Sequence, residues 1–235
     1  MHMANTIRAA LTRSLDQINW DASNNEACAE AAELLRNVGP ERLLRIVRHA
    51  VSDVLEHMKD EFAWNGFSRN IVTRPSHVKY RIGGTDHFDG EGYTLWAHYF
   101  RNLPEGPFVD TLHNHRYALA AGPLTAPYKA REWRCSRTRL LQSELWIPSK
   151  VEWANPEVRE YQPGETWAMS ALDIHGLHII NPNTQSVMIQ GPRQRDGSYT
   201  FDEATGGVLN YFQNQNAELA ALLGNLSVRG STTSA

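Results

Sequence analysis

The sequence predicts a mainly β protein, a sandwich or barrel of short strands, preceded by a helical segment. From about residue 70 onward apolar residues alternate with polar ones, whereas before that point they recur every three or four residues. The alternating segments are separated by turn pairs such as Gly83-Gly84 and Pro163-Gly164. Strands and helices do not alternate, which argues against a parallel-sheet enzyme.

The first sixty residues carry the helical pattern. Ile7, Leu11, Leu15 and Ile18 lie on one face of a first predicted helix. A second helix is expected at about 25–38, with Gly39 in the left-handed conformation just past its end. Proline suits a first helical turn, so the third helix is expected to begin at residue 40 and to fade near residue 58. We interpret residues 1–69 as a helical cap packed on the main domain.

The remainder predicts a barrel over residues 70–226. The predicted strands are His77–Ile82, Tyr93–Arg101, Thr111–Ala121, Tyr128–Cys135, Arg139–Trp146, Glu165–Met169, Leu177–Ile180, Ser186–Gln190 and Ser198–Phe201. A short C-terminal helix is expected at about Asn214–Leu223. Residues 227–235 are rich in Ser, Thr and Gly, and we expect them to form a flexible tail.

Composition excludes several classes of protein. With 41% hydrophobic residues, the 235-residue chain is not intrinsically disordered. Its net charge of −3 argues against nucleic-acid or membrane-surface binding, which requires clustered Lys and Arg. No apolar run reaches the roughly 18–20 residues of a membrane span. Since Cys28 and Cys135 lie far apart and the N-terminal stretch is charged, we expect a cytoplasmic protein.

Three histidines stand out by their spacing. His113 and His115 are separated by one residue in a predicted strand, so their imidazoles are expected on the same face. His175 lies eleven residues after Gly164, at the end of the segment PGETWAMSALDIH. Within this segment it follows a predicted turn and a short predicted strand. A third histidine in this context makes a metal site a more specific hypothesis than a His-x-His pair alone.

Two segments carry a family resemblance. HNHRYALAAGPLTAPY resembles the first motif of the cupins, and PGETWAMSALDIH resembles the second; the resemblance covers about residues 77–202. It implies a double-stranded β-helix, that is, a jelly-roll barrel with an N-terminal helical cap. It also implies a divalent metal bound by His113, His115 and His175. Where cupins have a ligating glutamate, this chain has Leu119 and Ala120, which leaves three histidines.

Three neutral imidazoles favour Fe(II), Ni, Cu or Zn over Mg or Ca. The set resembles the cysteine-dioxygenase-like cupins, in which Fe(II) is bound by three histidines and dioxygen is added to a chelating substrate. We therefore expect Fe(II), with Zn, Ni or Mn as alternatives. The Ser-His-Tyr set of that branch corresponds here to Met188, Gln190 and Pro192, so cysteine is not the expected substrate.

Side chains near the predicted centre are candidates for substrate binding. The candidates are Tyr117, His98, Tyr128, Gln190 and Arg193. Tyr117 shares the face of the His-x-His pair by strand parity, whereas His98 either enters the pocket or packs against the helical cap. Arg193 is slightly preferred over Arg81, Arg101 and Arg131 as a carboxylate ligand. His178, three residues after His175, is expected on the opposite face of its strand.

Three functions remain open at this stage. The first is an Fe(II)-dependent oxygenase of a small, polar, amino-acid-like substrate that chelates the metal, with dioxygen as second substrate. The second is a non-redox Zn or Ni isomerase, lyase or hydrolase at the same site. The third is a metal-free cupin that binds a small molecule. Exposed strand edges are also compatible with a homodimer.

Overall fold

The computed structural model describes residues 2–21, 26–65, 70–73, 77–85, 92–100, 108–134, 153–179, 181, 184–195 and 197–213. The predicted strand Arg139–Trp146, the predicted C-terminal helix, the tail and Cys135 lie outside these residues.

Three helices open the chain, as predicted. They are α1 (His2–Leu15), α2 (Glu26–Val38) and α3 (Pro40–Asn65). Gly39 joins α2 to α3 with a φ of 81°, the left-handed conformation that its position predicts. The predicted end of α3 near Met58 is wrong, because the helix continues to Asn65. Within the described residues, no helix is both long enough and apolar enough to cross a membrane.

Twelve strands follow the helices in the described part of the chain. They are β1 (Ile71–Thr73), β2 (His77–Gly84), β3 (Thr94–Phe100), β4 (Phe108–Val109), β5 (Tyr117–Pro123), β6 (Tyr128–Trp133), β7 (Glu157–Tyr161), β8 (Trp167–Met169), β9 (Ile174–Ile179), β10 (Gln185–Arg193), β11 (Gly197–Phe201) and β12 (Val208–Gln213). The sequence did not predict β1, β4, β7 or β12.

The strand order defines a jelly roll. One sheet has the order β1-β2-β3-β10-β5-β8 and the other the order β4-β9-β6-β7, while β11 and β12 form a hairpin. All pairings are antiparallel. From β3 to β10 the chain divides between the two sheets in the pattern of a double-sheet jelly roll, the architecture of cupins. The predicted fold class is confirmed.

Two strand boundaries near the predicted centre differ from prediction. The strand predicted at Thr111–Ala121 begins only at Tyr117, because residues 111–116 carry the chain from one sheet to the other and cannot continue a single ladder. His113 forms isolated bridges to His175 and Thr200 instead. The strand predicted at Leu177–Ile180 begins at Ile174, so His175 lies inside β9.

Two apolar cores lie on opposite sides of the larger sheet. The first lies between the helices and the outer face of that sheet, and it includes Leu35 of α2 and Ile189 of β10. The second fills the barrel interior and includes Trp96, Trp167 and Met188. The helices thus cover one face of the sheet and leave its other face to line the barrel.

Candidate metal centre

Two segments of chain bring the three histidines together. His113 lies between β4 and β5, His115 lies two residues before β5, and His175 is the second residue of β9. The backbones of His113 and His175 exchange two N–H···O hydrogen bonds of 2.9 Å each. This reciprocal pair fixes the His-x-His segment against β9. The juxtaposition that the sequence predicted is therefore present.

The ring nitrogens of these histidines converge on one point. Nε2 of His115 and Nε2 of His175 lie 2.9 Å apart, and the His113 ring centre is 4.7 Å from each of the other two. One nitrogen from each ring lies within 4.8 Å of the others. In the described part of the chain, no other cluster of three His, Cys, Asp or Glu side chains has this geometry.

The orientation of His113 is set by its own segment. Its Nδ1 lies 2.7 Å from the carbonyl oxygen of Thr111, and 3.7 Å from a carboxylate oxygen of Asp110. Because a carbonyl only accepts, Nδ1 carries the proton and donates it. In the neutral form of this ring the lone pair is then on Nε2, the tautomer that a metal requires when that nitrogen is the ligand.

Burial keeps two of the imidazoles neutral. The pKa of His115 is well below its usual value, first because burial disfavours the charged ring and then because of His113, His175, Lys79 and His98. The pKa of His175 is also well below its usual value, through burial and then through His113 and Arg134. Neutral imidazoles at pH 7 are the protonation state in which histidine binds metals.

Aromatic rings flank the cluster. Tyr117 stacks on His115, with ring centres 5.5 Å apart and planes inclined by 25°. Trp167 meets His175 edge-on at 5.6 Å, and its indole N–H donates a 2.8 Å hydrogen bond to the hydroxyl of Tyr128. These contacts hold two of the three imidazoles between rigid, largely apolar side chains.

Gln190, on β10, connects Tyr117 of β5 to Trp96 of β3, the neighbouring strands on either side of it in the larger sheet. Its side-chain amide donates to the Tyr117 hydroxyl, and its carbonyl oxygen accepts a 2.9 Å hydrogen bond from the Trp96 indole. The inward orientation predicted for Gln190 and Tyr117 is observed in the structure.

The other predicted substrate ligands differ in position. His98 shares its face of β3 with Trp96 and Phe100, which belong to the barrel core, so it points away from the helical cap. Tyr128 is a buried core residue, and burial raises the pKa of its hydroxyl. Arg193 has an exposed side chain at the end of β10. Their roles toward a substrate stay predictions.

His178 and Arg131 lie away from the cluster. His178 is half-buried, pairs with Val109 and Lys129 in its sheet, and does not belong to the group of three imidazoles. Arg131 forms an ion pair with Glu203 beside a cleft of about 510 Å³. The cleft contains none of the three histidines, so Arg131 serves a different region.

Sequence reasoning missed a buried carboxylate beside the centre. Glu132 lies directly opposite His175 in the β6–β9 ladder, and its side chain is completely buried. One of its oxygens accepts a 2.7 Å hydrogen bond from the Tyr161 hydroxyl, and the other accepts one of 2.7 Å from Arg134. The available signal was strand parity, which places Glu132 on the inward face with Tyr128 and Ala130.

The donor set fits a transition metal. At the roughly 2.1 Å typical of metal–imidazole bonds, two ligands at a right angle lie about 3 Å apart, close to the observed separation of the His115 and His175 nitrogens. Three imidazole nitrogens without a carboxylate favour a borderline divalent ion over Mg or Ca. The jelly roll thus contains a three-histidine cluster whose donor atoms suit such an ion.

Comparisons with known proteins found similar chains among solved structures only. No family model matches the chain, and no curated protein matches it. Among solved structures, KdgF from Halomonas sp. is 13% identical with a TM-score of 0.36, over 52% of this chain and 85% of that one. Oxalate decarboxylase from Bacillus subtilis is 11% identical with a TM-score of 0.37, over 66% of this chain and 34% of that one. The chain therefore spans about a third of the length of the oxalate decarboxylase.

Proposed function

We propose that this chain is a mononuclear metal-dependent enzyme of the cupin type, and that it uses Fe(II) to oxygenate a small, polar, amino-acid-like substrate. The observation that carries the proposal is the convergence of three imidazole nitrogens without a carboxylate ligand among the described residues. Its proposed partners are this small molecule and dioxygen.

The charge of the donor set supports Fe(II). Neutral imidazoles leave the ion its full charge of +2, and three protein ligands leave coordination positions for small molecules. Bound Fe(II) would supply a centre at which a chelating substrate and dioxygen meet, and the protein would supply orientation and a dry cavity.

The residues around the cluster are suited to those two tasks. Tyr117 and Gln190 are hydrogen-bonded to each other and present polar atoms next to His115. Trp96, Met188 and Trp167 are 8%, 6% and 6% exposed, and they form apolar walls that exclude water from the interior. A polar group of the substrate can thus be oriented inside a largely apolar barrel.

Oxygen uptake by iron-loaded protein tests the proposal. The chain is expressed without a histidine tag, loaded anaerobically with one equivalent of Fe(II), and mixed with oxygenated buffer and a panel of amino acids and their derivatives. We expect uptake of dioxygen that depends on one compound class and is lost in His175→Ala. The matched control is His178→Ala, which removes an imidazole from the same strand outside the cluster and is expected to keep the activity.

Other outcomes would replace the proposal by a named alternative. Turnover with Zn or Ni under strict anaerobiosis would indicate a non-redox isomerase, lyase or hydrolase. Failure of the wild-type chain to bind iron, with ligand binding unchanged in His113→Ala, would indicate a metal-free binding protein.

A further inference from the structure

The strand β2 directs its polar side chains into the barrel. Tyr80 and Ile82 pack against the helical cap. By the alternation of a strand, Lys79 lies on the opposite face, toward the interior. The position of its ammonium nitrogen confirms the inward direction, because this atom lies 5.2 Å from the ring centre of Trp96, a barrel-core residue. A positively charged side chain therefore lines the inside of the jelly roll.

His98 lies next to Lys79 on the same inner surface. The two residues are direct partners in the β2–β3 ladder. The Nε2 atom of His98 is buried and has no hydrogen-bond partner in the described part of the chain. A buried, unsatisfied ring nitrogen is costly unless a ligand or another group completes its hydrogen bond. This atom is thus a second, independent indication of a ligand at this place.

The Lys79–His98 pair lies on the side of the barrel that faces the metal centre. A chain of contacts runs from Lys79 to the imidazole of His115: Lys79 lies over Trp96, Trp96 donates to Gln190, Gln190 donates to Tyr117, and Tyr117 stacks on His115. These contacts connect the pair to the histidine cluster along the inner face of the larger sheet.

We propose that Lys79 and His98 form a carboxylate subsite, so that the substrate is a small carboxylate whose other end carries the metal-binding group. The proposal rests on the function proposed above. The ammonium of Lys79 supplies the opposite charge, and a His98 ring protonated at Nε2 donates a hydrogen bond to the second carboxylate oxygen. Inside the barrel, where water is largely excluded, such a charge pair is stronger than at the surface.

The subsite is tested with cobalt as a spectroscopic probe and three small thiols as ligands. Co(II) replaces Fe(II) under anaerobic conditions, and sulfur-to-cobalt absorption reports the dissociation constant of each thiol. The probes are 3-mercaptopropionate, 2-mercaptoethanol and cysteamine, which share a two-carbon spacer and end in a carboxylate, a hydroxyl and an ammonium group. The readout is the ratio of their dissociation constants, which a general loss of metal affinity does not change.

We expect the wild-type protein to bind 3-mercaptopropionate more tightly than 2-mercaptoethanol. Lys79→Gln should reduce this preference by about 10-fold, which is the scale of a charge-assisted hydrogen bond. His98→Gln should reduce it less, and Lys79→Arg should keep most of it because the charge remains. The matched control is Lys129→Gln, which removes one positive charge from the outer surface, where Lys129 pairs with Glu160, and should leave the ratio unchanged.

The two proposals fail in different ways. If the wild-type chain binds no cobalt, the metal-dependent function is wrong and the subsite falls with it. If cobalt binds with the same spectrum in wild-type protein and in Lys79→Gln, and the ratio is also the same, the metal centre stands and the carboxylate subsite is wrong. The cobalt spectrum also reports whether each variant has folded. If Lys79→Gln does not fold, the ratios measured in Lys79→Arg and His98→Gln supply the test.

Discussion

Replacement of Glu132 by Gln removes one buried negative charge and almost no volume. The carboxylate is completely buried between Tyr161 and Arg134, with hydrogen bonds of 2.7 Å to each. Glutamine keeps a carbonyl oxygen that can accept from Tyr161. Its amide group, however, presents N–H donors to the Arg134 guanidinium, which is itself only a donor. The variant therefore breaks one charge-assisted bond and leaves a cation beside a buried amide.

The magnitude follows from the surroundings of Arg134. Loss of one partner from a fully buried ion pair costs about 3–5 kcal/mol, and a hydrogen bond to a charged group contributes about 1.5–3 kcal/mol. The Arg134 side chain is 36% exposed, so water can solvate it. It also keeps a 3.3 Å contact with Asp173 and a 2.7 Å hydrogen bond to the Ala168 carbonyl. We therefore expect the free energy of unfolding to fall by about 2 kcal/mol. This is less than for a fully buried ion pair and within the range for one hydrogen bond to a charged group.

Urea unfolding of the metal-free protein, followed by tryptophan fluorescence, measures this loss. The matched control is Glu160→Gln on the neighbouring strand, where the carboxylate is 46% exposed and pairs with Lys129 at 3.6 Å. Exposed pairs contribute little, so the control should lose less than about 0.5 kcal/mol. If Glu132→Gln loses no more than this control, the buried network does not stabilise the sheet and the reasoning is refuted.

The remaining predictions concern pH, the helical cap and the aromatic wall. Burial lowers the pKa of His98, His115 and His175 in the folded state, so below about pH 6.5 the unfolded chain binds more protons than the folded one. The urea concentration at the unfolding midpoint of the metal-free protein should therefore be lower at pH 5 than at pH 7. An equal or higher midpoint at pH 5 would contradict this. Leu35→Ala, at a completely buried position of the cap, should lose about 2–5 kcal/mol in the same assay; a loss below about 1 kcal/mol would show that the cap is not firmly packed. Tyr117→Phe keeps the ring on His115, so its cobalt affinity should stay within about twofold of the wild type. Its free energy of unfolding should fall by about 1 kcal/mol because the hydroxyl is lost. A tenfold weaker cobalt affinity would show that the hydroxyl supports the metal.

The sequence predicted those parts of the site that depend on the spacing of residues along the chain. His113, His115 and His175 were identified because two short motifs with recognisable turns contain them. The exact strands were harder to predict, because the segment of His113 crosses between sheets and is held by single bridges to β9 and β11. A local alternation pattern does not reveal such a crossing.

Alternation also shows that a strand has two faces without showing which face is inside. In β2 the apolar residues Tyr80 and Ile82 face the helices, so the polar side chain of Lys79 points into the barrel. An isolated sheet would suggest the opposite arrangement. The inner position of Lys79 depends on the helical cap, whose docking involves residues far away in the chain.

The strand β7 was missed for a related reason. Four of its five residues are exposed, so the edge strand lacks the apolar alternation on which the prediction relied. Glu132 was missed because a charged residue in a strand is usually solvated. Its burial depends on Tyr161 and Arg134, and Tyr161 belongs to β7.

The most direct test of the metal centre is the stoichiometry and affinity of Co(II) in untagged protein, measured by titration of its visible absorption. The account predicts one ion per chain in the wild type, and at least a hundredfold weaker binding in each of His113→Ala, His115→Ala and His175→Ala. His178→Ala should bind like the wild type. Equal affinity in the wild type and in the three cluster variants would contradict a shared ion at these imidazoles.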